Sequence, residues 1–245
     1  MNYIEIPPPN DISSYIKCIW KYHNNKDSVQ YTILPNGYFE LFMIFEQQKI
    51  ISVFLSGLRT KPFDVYIPKG VIISAIRFKL SAAEYILDRE IASILNTTAL
   101  LDNDFWNLNL LESLSFEERI QRIFLKLVEI TQTRKVDSKK MLLLEMVYIP
   151  GLTVKEISNK MLWDRRKINR YFNTQFGLSL KTFLEIVRLR SSFETLKEGI
   201  LYPDLNYYDQ SHYIKEVKKY TNEPPKELSK NTDDRFLQLL VKKES

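Results

Sequence analysis

The feature that most constrains this chain is a change of period near Ser81. Before it, short runs of aromatic and β-branched residues alternate with turn residues; after it, apolar residues recur at helical spacing. Tyr31-Thr32-Ile33-Leu34 runs into Pro35-Asn36-Gly37, a turn by composition, and an apolar run over 38–45 follows. Further runs over 50–55, 63–67 and 71–80 complete a meander of short strands, expected to form a β-sandwich or a small barrel-like sheet. Ser81-Ala82-Ala83-Glu84 and Ser115-Phe116-Glu117-Glu118 then read as capping boxes, in which Ser and Glu satisfy each other's exposed backbone donors. Ile120, Ile123, Phe124, Leu127 and Val128 form an apolar stripe on the helix that the second box starts. Strands first and helices afterwards predict an α+β chain, with a β-rich N-terminal domain and an all-α C-terminal domain.

Charge is distributed as unevenly as structure. Residues 1–150 carry 17 Lys+Arg and 17 Asp+Glu, whereas 151–245 carry 18 against 13, so the C-terminal part holds the whole net charge of +5. A basic segment suits a polyanion, because each cation near a phosphate releases condensed counterions; a solvated face with surplus lysines has the same composition. No stretch approaches the ~20 apolar residues of a membrane span. Met1-Asn2-Tyr3-Ile4-Glu5 lacks the basic start and apolar run of a signal peptide, and the single cysteine, Cys18, has no internal disulfide partner. The expected location is the cytoplasm. Two histidines, His23 and His212, stand far from Cys18 in sequence, so no metal and no cofactor is expected. Cys18 itself reads as a core thiol rather than a nucleophile.

The chemistry-bearing pattern lies beyond residue 150. Thr153-Val154-Lys155-Glu156 is a third capping box, and Leu162-Trp163 makes a turn. Asp164 N-caps a helix predicted over 165–175, with Ile168 and Phe172 inward and Gly177 at its end. Arg165 begins this helix, and Arg166, Asn169 and Arg170, spaced i, i+3, i+4, project together from its outer face. Arg bonds guanine and Asn bonds adenine in bidentate fashion, and a helix-turn-helix presents the start of its second helix to the major groove. A second copy follows: Asp209 is the N-cap, Gln210, Ser211, His212 and Lys215 are exposed, and Tyr213 and Val217 face inward. One long helix over 183–197 is expected to join the two. Ser179 and Lys181 start that connection, where backbone amides and a cation suit a phosphate.

At these residues the chain resembles the AraC/XylS regulators. Asp164-Arg165-Arg166-Lys167-Ile168-Asn169-Arg170-Tyr171-Phe172 with Phe176-Gly177-Leu178-Ser179 is similar to that family's first helix-turn-helix, and residues 207–225 to its second recognition helix and terminal motif. The resemblance implies double-stranded DNA as partner. It places Arg166, Asn169, Arg170, Gln210, Ser211 and His212 at the DNA. It further implies a transcription regulator, with RNA polymerase, a homodimer partner and a small-molecule effector as further partners. The family's short helix before the second recognition helix is abbreviated here: 199–206 is several residues short and carries Pro203, while Asn206 and Asn222 stand where glycine is preferred. Pro7-Pro8-Pro9, Tyr15-Ile16, Trp20, Leu34-Pro35-Asn36-Gly37, Ser56-Gly57, Arg77-Phe78 and Trp106 resemble the β-rich sensor domains of some such regulators.

The resulting division is a sensor or dimerisation domain with trailing helices over 1–134, a linker and short helix over 135–150, a double helix-turn-helix over 151–232, and a tail over 233–245. Glu40, within an apolar strand, and Arg77, in Ala75-Ile76-Arg77-Phe78, are candidate effector contacts; the same two residues could instead pair with each other. Two other classes compete with a DNA-reading regulator. One is a protein that modulates another regulator through protein contacts. The other is an enzyme, against which stands the lack of a nucleophile–base pair, metal set or phosphate loop.

Overall fold

The computed structural model describes residues 2–25, 27–47, 49–202 and 207–239. Eight strands precede most of the helices: β1 (Asn2–Ile6), β2 (Ile16–His23), β3 (Val29–Ile33), β4 (Phe39–Glu46), β5 (Lys49–Ser56), β6 (Phe63–Ile67), β7 (Ile72–Phe78) and β8 (Thr98–Leu101). The fold class is α+β, as the change of period implies. The meander is replaced by a more interleaved arrangement. Six strands form one antiparallel sheet in the order β1-β2-β7-β4-β5-β8, and β3 pairs with β6 as a separate ribbon. β3 leaves the sheet because Tyr31 and Ile33, with Val65 and Ile67 of β6, cover the aromatic face of the sheet around Cys18, Trp20 and Tyr22.

The strands alternate, and each face has its own partner. Phe39, Leu41, Met43 and Phe45 of β4 point into a large core. Glu40 and Phe42 point the opposite way, towards the ribbon. The helices that follow are α1 (Ser81–Tyr85), α2 (Phe116–Thr133), α3 (Ser138–Met146), α4 (Val154–Met161), α5 (Arg165–Phe176), α6 (Leu180–Ser191), α7 (Phe193–Lys197), α8 (Gln210–Thr221) and α9 (Pro225–Lys230). Capping boxes form at Ser115 and Thr153. None forms at Ser81. There Leu80 occupies the cap, the Ser81 hydroxyl donates to Ser14 O, and Glu84 reaches away to Lys140 and Tyr171. Tertiary partners outcompete a local bond that is worth about 1 kcal/mol.

The core does not stop at 134–151, where the sequence reading places a boundary. One continuous cluster joins Phe39, Phe78 and Ile120 to Leu143, Ile157, Phe172 and Phe183. A second cluster gathers Ile186, Leu189 and Phe193 with Tyr213, Val217 and Tyr220, and it takes in Leu34 from the turn after β3. Residues 233–239 belong to this second cluster through Phe236 and Leu239. Their backbone also joins β3, where Thr32 N donates to Arg235 O at 2.7 Å.

The expected long connecting helix is two segments, α6 and α7, meeting at Ser192. Ser191 Oγ donates to Arg188 O and Ser192 Oγ to Leu189 O, hydroxyl bonds that compete with the helix ladder and bend it. The described residues 199–202 and 207–209 carry no helix; Pro203 and Asn206 lie outside the described residues.

Because the cluster is continuous, unfolding followed by tryptophan fluorescence and by far-UV circular dichroism is expected to show one coincident denaturant transition. Phe183→Ala, at a fully buried position, should lower stability by about 3–5 kcal/mol in both signals. Two separated transitions would show that the halves fold independently.

Candidate nucleic-acid interface

Two helices present the same layout to solvent. In α5 the Asp164 side chain accepts from Arg166 N at 2.7 Å, and Gly177 closes the helix at φ 78°. Ile168, Phe172 and Phe176 are buried, while Arg165, Arg166, Asn169 and Arg170 are exposed. In α8 the Asp209 side chain accepts from His212 N at 2.7 Å, and Asn222 closes the helix at φ 63°. Tyr213, Val217 and Tyr220 are buried, while Gln210, Ser211, His212 and Lys215 are exposed. Among the described residues no hydrogen bond or ion pair engages the side chains of Arg165, Arg166, Asn169, Arg170, Gln210, Ser211 or Lys215. These groups are poised to meet an external partner.

The remaining predicted residues are engaged. His212 Nε2 lies 3.8 Å from Glu216 Oε2, and its ring meets Tyr207 edge-on. Ser179 caps α6, its hydroxyl accepting from Thr182 N at 3.1 Å, and Lys181 lies 3.9 Å from Glu185 while staying exposed. The Ser179 cap takes up one of the first backbone amides of α6, that of Thr182.

Glu40 and Arg77 sit directly opposite each other in the β4–β7 register. Arg77 Nε donates to Glu40 Oε1 at 2.6 Å, Trp20 Nε1 donates to the same oxygen at 3.0 Å, and Arg77 Nη1 lies 3.8 Å from Glu5 Oε2. Of the two roles open in sequence, mutual pairing is the geometry present; a ligand here would have to insert into that cluster. Cys18, across from Arg77 in the β2–β7 register, has its thiol pushed up to about 12 by burial, which disfavours a nucleophilic thiolate.

Several of the residues that hold α5 and α8 have partners that the sequence does not name. On α6, Arg188 forms a double hydrogen bond with Glu216 of α8, whose carboxylate is only 6% exposed as a residue, and the guanidinium lies over the Tyr207 ring at 4.6 Å. One turn earlier Glu185 accepts from Lys219 at 2.7 Å and from the Tyr220 hydroxyl. At the rear of α5, the Tyr171 hydroxyl donates to Glu84 at 2.7 Å and Gln175 Nε2 donates to Arg89 O at 2.8 Å. A Cβ on Gly177 would lie 2.9 Å from Ala92 O, so glycine is required both for the left-handed turn and for this approach. Arg190 of α6 donates to Asn36 O at 3.1 Å and lies against both the Tyr38 and Tyr148 rings, which stack on each other. The only sequence signal for these contacts was the Leu-Pro-Asn-Gly turn and charges at helical spacing, which do not name their partners.

Residues 4–99 match a family described as Domain of unknown function (DUF6597), less than half of the chain. No curated protein matches the sequence. Among solved structures, the chain is similar to ToxT of Vibrio cholerae in several forms. An apo ToxT variant is 12% identical over 86% of this chain and 96% of that one, with a TM-score of 0.45. ToxT bound to (E)-4-(8-methylnaphthalen-1-yl)but-3-enoic acid is 14% identical over 98% and 100%, with a TM-score of 0.45. Wild-type ToxT with bound unsaturated fatty acid is 14% identical over 85% and 96%, with a TM-score of 0.44.

The clasp between α6 and α8 carries a pH signature. Burial favours the protonated form of Glu185, but the hydrogen bonds from Lys219 and Tyr220 and the charges of Lys219 and Lys181 outweigh it, so its carboxyl is held below its ordinary 4.5. Just below 4.5 the unfolded chain takes up a proton here that the native chain refuses. The contribution is therefore fully present above that range and lost as pH falls through the lowered native value. Glu118 and Glu156 are lowered with the same sign by Ser115 and Thr153 in their capping boxes. The difference in thermal stability between the wild type and Glu185→Gln should thus be flat above pH 5 or so and shrink below about 4. Glu216→Ala strands the half-buried Arg188 and should cost roughly 3 kcal/mol.

Proposed function

We propose that this chain is a sequence-specific DNA-binding transcription regulator rather than an enzyme, reading major-groove bases with α5 and α8. The observation that carries the reading is the pair of capped helices whose outward side chains are exposed and, His212 apart, unengaged, while their other faces pack against one shared element, α6. Arg166, Asn169 and Arg170 are the base-reading set of the first head, with Arg165 beside them. Gln210, Ser211, His212 and Lys215 serve the second, and the α6 start at Ser179 and Lys181 meets phosphate. The side chain of His212 already faces Glu216, so α5 dominates sequence choice.

The β-rich half biases how the heads are presented. An effector acting at Glu40 and Arg77 has a short route to α6. Tyr38, two residues from Glu40, stacks on Tyr148 at 5.4 Å and lies under Arg190. In this reading the protein works in the cytoplasm, binds its operator as a homodimer, responds to a small molecule, and recruits or blocks RNA polymerase. Among the described residues no helix is long and apolar enough to cross a membrane.

The test is selection of sites from random duplex DNA with the full-length chain, repeated with Arg166→Ala and Lys181→Ala. The wild type should enrich one motif. Arg166→Ala should lose about 1–3 kcal/mol on that motif and relax preference at one position, while Lys181→Ala weakens all sequences evenly. Equal loss on every sequence for Arg166→Ala would sink the base-reading role. No enrichment at low salt, with and without candidate effectors, would favour a protein that modulates another regulator.

A further inference from the structure

The first head has a basic flank supplied partly from outside the helix-turn-helix. On α5, Lys167 and Tyr171 stand one turn apart, between the buried stripe of Ile168 and Phe172 and the outward Arg166 and Arg170. Helix α3 meets this flank. Lys140 Nζ lies over the Tyr171 ring at 5.5 Å and is neutralised by Glu84. Its neighbour Lys139 is different. Lys139 Nζ lies over the Trp163 ring at 5.5 Å, and Lys167 Nζ lies over the same ring at 4.4 Å. Both lysines are exposed, and among the described residues neither has a carboxylate within ion-pair distance.

Two ammonium groups at 5.5 and 4.4 Å from one indole centroid are at most about 10 Å apart, and like charges in that range repel. Cation–π contacts at exposed sites are weak, so the pair adds little to folding stability. An anion of high charge density beside Trp163 would convert that repulsion into attraction. We propose that Lys139 and Lys167, brought together by Trp163, form a phosphate clamp on the DNA backbone bordering the groove that α5 reads, extending the interface to α3. The ligand is backbone phosphate rather than a base edge. Lys139 stands on a helix beside the reading helix, and an ammonium is a point charge without the planar fork that reads guanine. The inference rests on the DNA-binding reading above.

The experiment measures affinity of the full-length chain for its selected duplex against salt concentration, for wild type, Lys139→Gln, Lys167→Gln and the double variant. Lys61→Gln, an exposed charge far along the sequence in the β-rich half, is the control. Each single variant should lower the slope of log affinity against log salt by about 0.9, and the double by about twice that, with the selected motif and the melting temperature unchanged. Lys61→Gln should leave the slope at its wild-type value. A slope for Lys139→Gln equal to wild type overturns the clamp while leaving the regulator reading intact. A wild type that binds no DNA, or binds with no sequence preference, instead defeats the regulator reading, and the clamp at a read groove falls with it.

Discussion

Helix α6 spends nearly its whole apolar surface on two different cores. Phe183, Leu184 and Val187 enter the cluster that also contains the sheet and α5, and Ile186 and Leu189 enter the cluster that contains α8. A 12-residue helix buried in this way cannot shift along its axis or roll without exposing apolar surface on one side or the other, at roughly 25 cal/mol per Å². The relative placement of sheet, α5 and α8 is therefore referred to one rigid element. The turn at 34–37 is keyed to it as well. Gly37 adopts φ +78°, and a Cβ there would lie 3.5 Å from Val187 and 3.6 Å from Phe183. Asn36 O accepts from Arg190, and Leu34 enters the second core.

Charged residues divide into two populations, and the division gives the surface its meaning. Glu40 with Arg77, Glu84 with Lys140 and Tyr171, and Glu216 with Arg188 are partly or largely buried and mutually satisfied, and the largely buried Glu185 is paired with the exposed Lys219. Burying either member alone would be costly, so these pairs hold elements in register. Arg165, Arg166, Arg170, Lys215, Lys139 and Lys167 have no such partners among the described residues, and each projects outward. Arg165, Arg166, Lys167 and Arg170 place four cations without an ion pair among the described residues on the first two turns of α5.

Much of the local structure was legible because its cause is local. The β3–β7 segments follow alternation, and the Asp164 and Asp209 caps with their left-handed closures at Gly177 and Asn222 depend on residues within one or two turns. Legibility failed where a distant partner outcompeted a neighbour. Ser81 and Glu84 hold a capping-box sequence, yet they bond Ser14, Lys140 and Tyr171. β1, β2 and β8 lie in segments whose strand character shows only when β2, β7 and β5, respectively, are there to pair with them. The bend at Ser192 follows from two adjacent serines inside an otherwise helical pattern, and periodicity alone does not register hydroxyl competition.

By itself, then, the sequence determined the order of β and helical halves, the start and stop of α5 and α8, and which of their residues face outward. Each of these is set by hydrogen bonds and apolar spacing within about a dozen residues. Tertiary structure alone decided that Glu40 pairs with Arg77, that Glu216 lies under Arg188, that the turn at 34–37 locks onto α6, and that Lys139 comes to rest on Trp163 beside Lys167. Those pairings link residues tens to more than a hundred positions apart. The free energy of packing both cores at once selects among the many partners that each charge could have taken.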